Sequence, residues 1–332
     1  MRASVATVIA VVAVLAAVAA GLAVGVAARP SPTPIRVIVT PSPTVTPSPT
    51  PFDEAALFRQ PLSSGCGTAQ AVWVITNGGA LLRWDGDAWS QPDATLRSLT
   101  NVACRPTRVF AVGLVGSLVV IDEVTRQINA SAVTIDDLFG VSPVGDGALM
   151  VGSAGAVFIL SGSEIQPYAA GLSEDLRDVV AFSERSAWAV GAGGITYRLD
   201  QRGWGAVGSG QTATLRAIAA ATVASPIAVG DRGTILAYDG GWQPLTSGVE
   251  VTLRDVIVDP AIWIAGDGGT LLTQGAAPGT FRRVDLATTC DLVSVFSFGP
   301  SREVWVVGRS GGGGGVWRLR SDGTLVQRWG AC

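Results

Sequence analysis

Seven copies of one cassette run through the chain from about residue 62 onward. Each holds a short apolar strand, a Gly-x-x-Gly turn and a second apolar strand. The turns begin at Thr76, Gly113, Gly152, Gly191, Gly230, Gly266 and Gly308, in steps of 37, 39, 39, 39, 36 and 42 residues. A near-fixed period of this size marks repeat architecture, because one such unit cannot bury its own apolar faces and must stack on its neighbours. Seven four-stranded units that close into a ring make a β-propeller. The expected fold is therefore all-β: a seven-bladed propeller over residues 52–332, each blade ordered from an inner to an outer strand.

The fifth copy shows the pattern best. Leu215-Arg216-Ala217-Ile218 reads as the inner strand and Pro226-Ile227-Ala228-Val229 as the second. Gly230-Asp231-Arg232-Gly233 is the turn, Thr234 to Tyr238 the third strand, and Trp242 opens the fourth. Leu253-Arg254-Asp255-Val256 and Gly266-Asp267-Gly268-Gly269 repeat it in the sixth copy. Continuous apolar runs fit strands covered on both faces. Glycine at both ends of the turn is expected to supply positive φ. All ten tryptophans fall into register. Trp73, Trp188, Trp263 and Trp305 belong to second strands, Trp84 and Trp317 to third strands, and Trp89, Trp204, Trp242 and Trp329 to fourth strands. Such regular placement favours packing between blades over sugar-binding platforms. The second copy, Gly113-Leu114-Val115-Gly116, is degenerate. The seventh carries Gly311 to Gly315, read as a floppy turn, since a phosphate loop would need a following Lys and a helix.

The pattern Leu-Arg-Asp-Val, Trp-x-Val-Gly-x-x-Gly-x-Ile/Leu and Asp-Gly-Gly-x-Trp resembles the BNR-type propellers. Among them it is similar to the photosystem II assembly-factor-like repeats. The resemblance covers about residues 62–330. It implies a seven-bladed, extracytoplasmic, non-enzymatic propeller that binds membrane-protein partners through a positively charged face. The departures are local: Asp-Gly-Gly-x-Trp survives only at Asp239 to Trp242, and the first copy reads Asp85-Gly86-Asp87-Ala88-Trp89. The expected function is a protein-binding scaffold or assembly factor. The alternative is a carbohydrate-binding or sialidase-like glycoside hydrolase propeller.

One side-chain series stands out. Arg97, Arg177, Arg216 and Arg254 each follow a leucine at the start of an inner strand, where the other copies carry Ser63, Phe139 and Val293. Equivalent positions on inner strands ring one mouth of the central channel. The four arginines are thus expected to form a one-sided basic arc that grips an acidic peptide segment, since guanidinium pairs bidentately with carboxylate. The structural alternative is an ion-pair ring in which Asp178 and Asp255 neutralise Arg177 and Arg254.

Catalytic chemistry finds little support. The chain has no histidine, and all 23 basic residues are arginine, so a His or Lys base is excluded. A sialidase-like site needs a Tyr/Glu pair facing the arginines, but Tyr197 and Tyr238 fall in third strands. No pair of inner-strand carboxylates fits glycoside hydrolysis. No catalytic residue, cofactor or metal is expected, and no basic tract suggests nucleic acid.

Cys66 and Cys104 lie 38 residues apart, and Cys290 and Cys332 lie 42 apart, each about one repeat. An even number of cysteines suggests disulfides outside the cytoplasm. Of the three pairings, Cys66–Cys104 with Cys290–Cys332 is favoured. Cys66–Cys332, which would staple the first blade to the last, is the runner-up.

The N-terminus supports that location. Residues 3–28 are uncharged and mostly Ala, Val and Leu. As a helix they would span about 39 Å, enough for an apolar core of about 30 Å. Residues 1–28 are read as a single-pass signal anchor, with a cleaved signal and a secreted product as the alternative. Residues 29–51 form a Pro/Ser/Thr-rich linker expected to be extended polyproline II. The propeller is then expected on the extracytoplasmic side.

Overall fold

A computed structural model of the chain describes residues 54–332 apart from 94–97, 169–170, 260 and 331. The expected anchor (1–28) and linker (29–51) lie outside the described residues. Among the described residues, no helix is long and apolar enough to cross a membrane.

Among the described residues, twenty-eight strands form seven four-stranded antiparallel sheets, each built from four consecutive strands. The seven-bladed propeller is therefore confirmed. The inner strands are β1 (Leu62–Gly67), β5 (Leu99–Arg105), β9 (Leu138–Val144), β13 (Leu176–Ser183), β17 (Leu215–Ala220), β21 (Leu253–Ile257) and β25 (Asp291–Phe298). The second strands, such as β2 (Val72–Thr76), β14 (Ser186–Gly191) and β22 (Trp263–Gly266), are buried almost throughout. Both of their faces pack on neighbouring blades, which explains why they read as unbroken apolar runs.

The tryptophans are packing residues. Trp73, Trp188, Trp263, Trp305 and Trp317 are at most 1% exposed. Ring closure uses them most densely. Blade 1 contains only N-terminal strands and blade 7 only C-terminal ones, so no shared blade locks the circle. Trp84 and Trp89 of blade 1 instead meet Trp305 and Trp329 of blade 7, with ring centroids 5.2–6.1 Å apart. A one-turn helix α1 (Glu54–Leu57) leads into Phe58, whose ring meets Trp89 edge-on and whose carbonyl accepts the Gly314 N–H at 2.8 Å.

That contact corrects the reading of the glycine run. Gly313–Gly315 open strand β27 (Gly313–Leu319), paired with Gly308–Ser310 of β26 (Glu303–Ser310). A Cβ at Gly314 would come within 2.3 Å of Leu62, and one at Gly315 within 2.6 Å of Cys332. Gly311 and Gly312 form the turn, as expected, while Gly313 and Gly314 are a landing strip for residues 58–62. The Gly-x-x-Gly turn needs a second correction. Its last glycine does take positive φ, as in Gly233 at +66°. Its first is extended, with Gly230 at −170°, and is glycine because a Cβ would sit 2.2 Å from the Thr214 carbonyl.

Both favoured disulfides are present, Cys66–Cys104 between the inner strands of blades 1 and 2 and Cys290–Cys332 across blade 7.

Candidate functional site

Every inner strand carries, at or next to its start, a buried leucine that pairs with the first residue of its blade's turn: Leu62 with Thr76, Leu99 with Gly113, Leu138 with Gly152, Leu176 with Gly191, Leu215 with Gly230, Leu253 with Gly266 and Leu292 with Gly308. The register then slips by one residue in all seven blades. The residue after the leucine is the extra residue of a β-bulge, and bulges re-aim side chains. Ser63, Thr100, Phe139, Arg177, Arg216, Arg254 and Val293 occupy this position, and all seven line the central channel.

The register corrects one expectation. Thr100, not Arg97, holds the ring position of blade 2, and Arg97 itself lies outside the described residues. Arg177, Arg216 and Arg254 are brought together, and a fourth guanidinium joins them. The channel mouth on this side is lined by Ser63, Arg177, Arg216, Arg254, Val293 and Arg309. Arg309 follows Gly308 and so stands where blades 5 and 6 carry Asp231 and Asp267. Comparing the second residue of each turn, rather than the inner strand alone, would have found it.

The aspartates are not those expected. Arg216 pairs through Nε with Asp231 at 2.5 Å, and Arg254 pairs with Asp267 in its own turn. Arg177 reaches Asp175 at 3.1 Å and lies over the Phe139 ring at 4.5 Å. Asp175 and Asp291 also clip blades together. Each precedes an inner leucine and accepts the middle N–H of the preceding blade's turn, from Ala154 at 3.0 Å and Gly268 at 3.2 Å. These carboxylates hold the arginines from behind, and none lines the mouth itself.

Arg309 differs from its neighbours. Its guanidinium makes no hydrogen bond or ion pair with any described residue. Burial, and then the charge of Arg254, holds its pKa below the ordinary arginine value, against the pull of Asp291 and Asp267. A partly desolvated cation beside two others is a preorganised position for an anion.

Asp178 and Asp255 are turned into the channel wall instead. Asp178 accepts the Ile218 N–H at 2.9 Å and Asp255 accepts the Val295 N–H at 2.8 Å, each from the inner strand of the next blade. Ser64 accepts the Val102 N–H at 3.3 Å in the same way. Burial pushes the Asp178 carboxyl up to about 7, with the charge of Asp255 adding to it, and burial pushes Asp255 up to about 6.

Among the described residues, one Tyr/Glu pair forms: the Tyr197 hydroxyl donates to Glu174 at 2.8 Å. Tyr197 is on a third strand, β15 (Thr196–Asp200), two strands out from the channel, and neither residue lines the channel or its mouth. Burial and the Glu174 bond push its hydroxyl up to about 12, away from what a nucleophile needs. Among the described residues, no group of His, Cys, Asp and Glu is placed to hold a metal ion.

No protein-family model matches the chain, and no curated protein sequence matches it. Solved structures do. YCF48 from Cyanidioschyzon merolae is similar at 15% identity and a TM-score of 0.63, over 82% of this chain and 98% of that one. YCF48 bound to D1 peptide is similar at 14% identity and a TM-score of 0.50, over 81% of each chain. The WD40 β-propeller domain of Doa1 is similar at 12% identity and a TM-score of 0.69, over 80% of this chain and 96% of that one. At these identities the likeness shows the propeller fold.

Proposed function

We propose that this propeller is a non-enzymatic protein-binding scaffold whose arginine-lined mouth grips an acidic segment of a partner protein. The observation that carries this reading is Arg309, half-buried and unpaired among the described residues beside Arg216 and Arg254. The aspartates behind the mouth fix Arg216 through Nε, which leaves its terminal nitrogens for a ligand carboxylate. A similar propeller, YCF48, has been solved with a D1 peptide bound, which supports peptide binding as a use of this fold. The resemblance of the repeat pattern to BNR-type and assembly-factor-like propellers supports the same role. The two disulfides and the uncharged N-terminal run support a propeller held on the extracytoplasmic face by residues 1–28.

A fluorescent glutamate-rich peptide, with its glutamine counterpart as control, tests the mouth. The full chain is expected to bind the first, more weakly as salt rises. The R216A/R254A/R309A variant is expected to lose about tenfold or more in affinity, about 1.4 kcal/mol. Equal binding of the two peptides, or an unaffected variant, would refute the reading. Protease accessibility of the propeller in sealed membrane vesicles tests its side of the membrane.

A further inference from the structure

The mouth is flanked on its neutral side by an apolar knob. Leu114, Val115 and Ile135 are 42%, 62% and 89% exposed. Val115 sits in the middle of blade 2's turn at φ +51°, where a β-branched side chain fits worst. The corresponding residues of blades 3 to 6 are Ala154, Gly193, Arg232 and Gly268, so the turn itself does not call for valine. The loop carrying Ile135 packs against this turn. Val133 N–H donates to the Gly116 carbonyl at 2.8 Å, and Val115 N–H donates to Asp137 at 2.9 Å. Knob and mouth share one rim, and Phe139 joins them. It follows Leu138 at the end of that loop, lines the channel and lies under Arg177.

We propose that this knob is the apolar half of the partner's footprint. The occupant is a protein segment that carries large apolar side chains beside a run of carboxylates. Its apolar end rests on Leu114, Val115 and Ile135, and its acidic end enters the mouth. The proposal rests on the acidic-segment reading of that mouth. Charge sets the direction. Asp136 and Asp137 follow Ile135 directly and repel acids from the knob, while Arg177, Arg216, Arg254 and Arg309 attract them. The same aspartates disfavour an anionic bilayer as the occupant.

The test uses the full chain and two fluorescent peptides, one with a glutamate run alone and one with Leu-Leu-Phe placed before the same run. Wild type is expected to bind the second peptide about tenfold more tightly. The V115G/I135S variant should lose that gain and bind the plain peptide as wild type does; glycine suits the turn, so the variant keeps its fold. Equal binding of both peptides by wild type overturns the knob and leaves the mouth standing. Failure of wild type to bind the plain peptide overturns the mouth reading, and the knob with it. All four cysteines are paired, so V115C gives a unique site for a polarity-sensitive dye. Its emission should shift to the blue on addition of the Leu-Leu-Phe peptide. A shift with phosphatidylcholine nanodiscs alone makes a bilayer the occupant and overturns the proposal. So does self-association, measured by sedimentation, that V115G/I135S abolishes.

Discussion

Blades 2 and 5 build one turn from opposite chemistry. In blade 5 the sequence is Gly230-Asp231-Arg232-Gly233, and Asp231 fixes Arg216 at the ring position. In blade 2 it is Gly113-Leu114-Val115-Gly116, and the ring residue is Thr100. The backbones agree closely, with the third residue at φ +56° in one and +51° in the other. The pairing recurs in blade 6 but not all round the ring, since blade 4 carries Ala192 in the turn and Arg177 in the ring, paired with Asp175 instead. Where the turn carries aspartate, in blades 5 and 6, the ring carries arginine. Where it carries Leu114 or Ser153, the ring carries Thr100 or Phe139. Blade 7 inverts the pair, with Arg309 in the turn and Val293 in the ring. Turn and ring side chains meet above a fixed bulge, so both can change while the blade does not. The rim can thus vary its chemistry without cost to the seams between blades.

The seams follow different rules, and the largest expected effect breaks one of them. Between blades 1 and 2 the Glu123 side chain is fully buried. It accepts Trp73 Nε1 at 2.6 Å and Thr68 Oγ1 at 3.2 Å, pairs with Arg126 at 2.9 Å and lies 3.7 Å from Arg83. Glu123→Ala leaves the buried Trp73 and Thr68 donors and the largely buried Arg83 without their carboxylate. Chemical denaturation should show a loss of about 3–5 kcal/mol, the range for a broken buried pair. A loss below about 1 kcal/mol would mean that this seam is held no more firmly than the rim.

The channel latches respond to pH. The folded-state pKa values of Asp178 and Asp255 lie above the ordinary carboxyl value of 3.8, at about 7 and about 6. Between those limits the folded protein keeps protons that the unfolded chain releases. The stability they contribute is full below about pH 4 and is lost as pH rises through about 6 to 7. The melting temperature should therefore fall by a few degrees from about pH 5 to about pH 8. D178N/D255N should flatten that slope, since Asn still accepts the Ile218 and Val295 N–H groups. A slope unchanged in the double variant would show that other groups set it.

Val115 sharpens the comparison of the two turns directly. Val115→Gly removes a left-handed valine, a strain of about 1–2 kcal/mol, and returns part of it as chain entropy. The net gain should be about 0.5–1 kcal/mol in a denaturation curve. Arg232→Gly in blade 5 should gain less, because arginine is not β-branched. Equal gains would remove the argument that valine is kept there at a cost.

The reach of sequence reading follows from the same geometry. Blade number, tryptophan placement and disulfide pairing were legible because each repeats with the period. The arginine ring was legible only in part. Leu96-Arg97 and Leu99-Thr100 both satisfy a leucine followed by a polar residue, and only the pairing of Leu99 with Gly113 decides between them. Arg309 was hidden because it reaches the mouth from a turn rather than from an inner strand. Asp178 and Asp255 sit next to arginines in sequence, yet the bulge turns Arg177 and Arg254 toward the mouth while each aspartate bonds to the next blade's inner strand.

The smallest expected effect is on stability at the mouth. The Arg216 and Asp231 side chains are 37% and 30% exposed, and solvent screens a pair in that position. Arg216→Ala should therefore cost only about 0–1 kcal/mol. The reverse graft is T100R with L114D, which gives blade 2 the pair of blade 5. It should likewise change stability by about 1 kcal/mol or less, because the bulge already points the ring side chain at the mouth. Its effect should appear in binding. A fifth arginine on the neutral side should raise affinity for a plain glutamate peptide and steepen its salt dependence. It also removes Leu114, so the gain from a Leu-Leu-Phe extension should shrink. If the graft unfolds the protein, turn and ring are coupled to the seam, and the independence of rim and blade fails. If it folds and leaves both affinities unchanged, the difference between the two turns has no bearing on what the mouth binds.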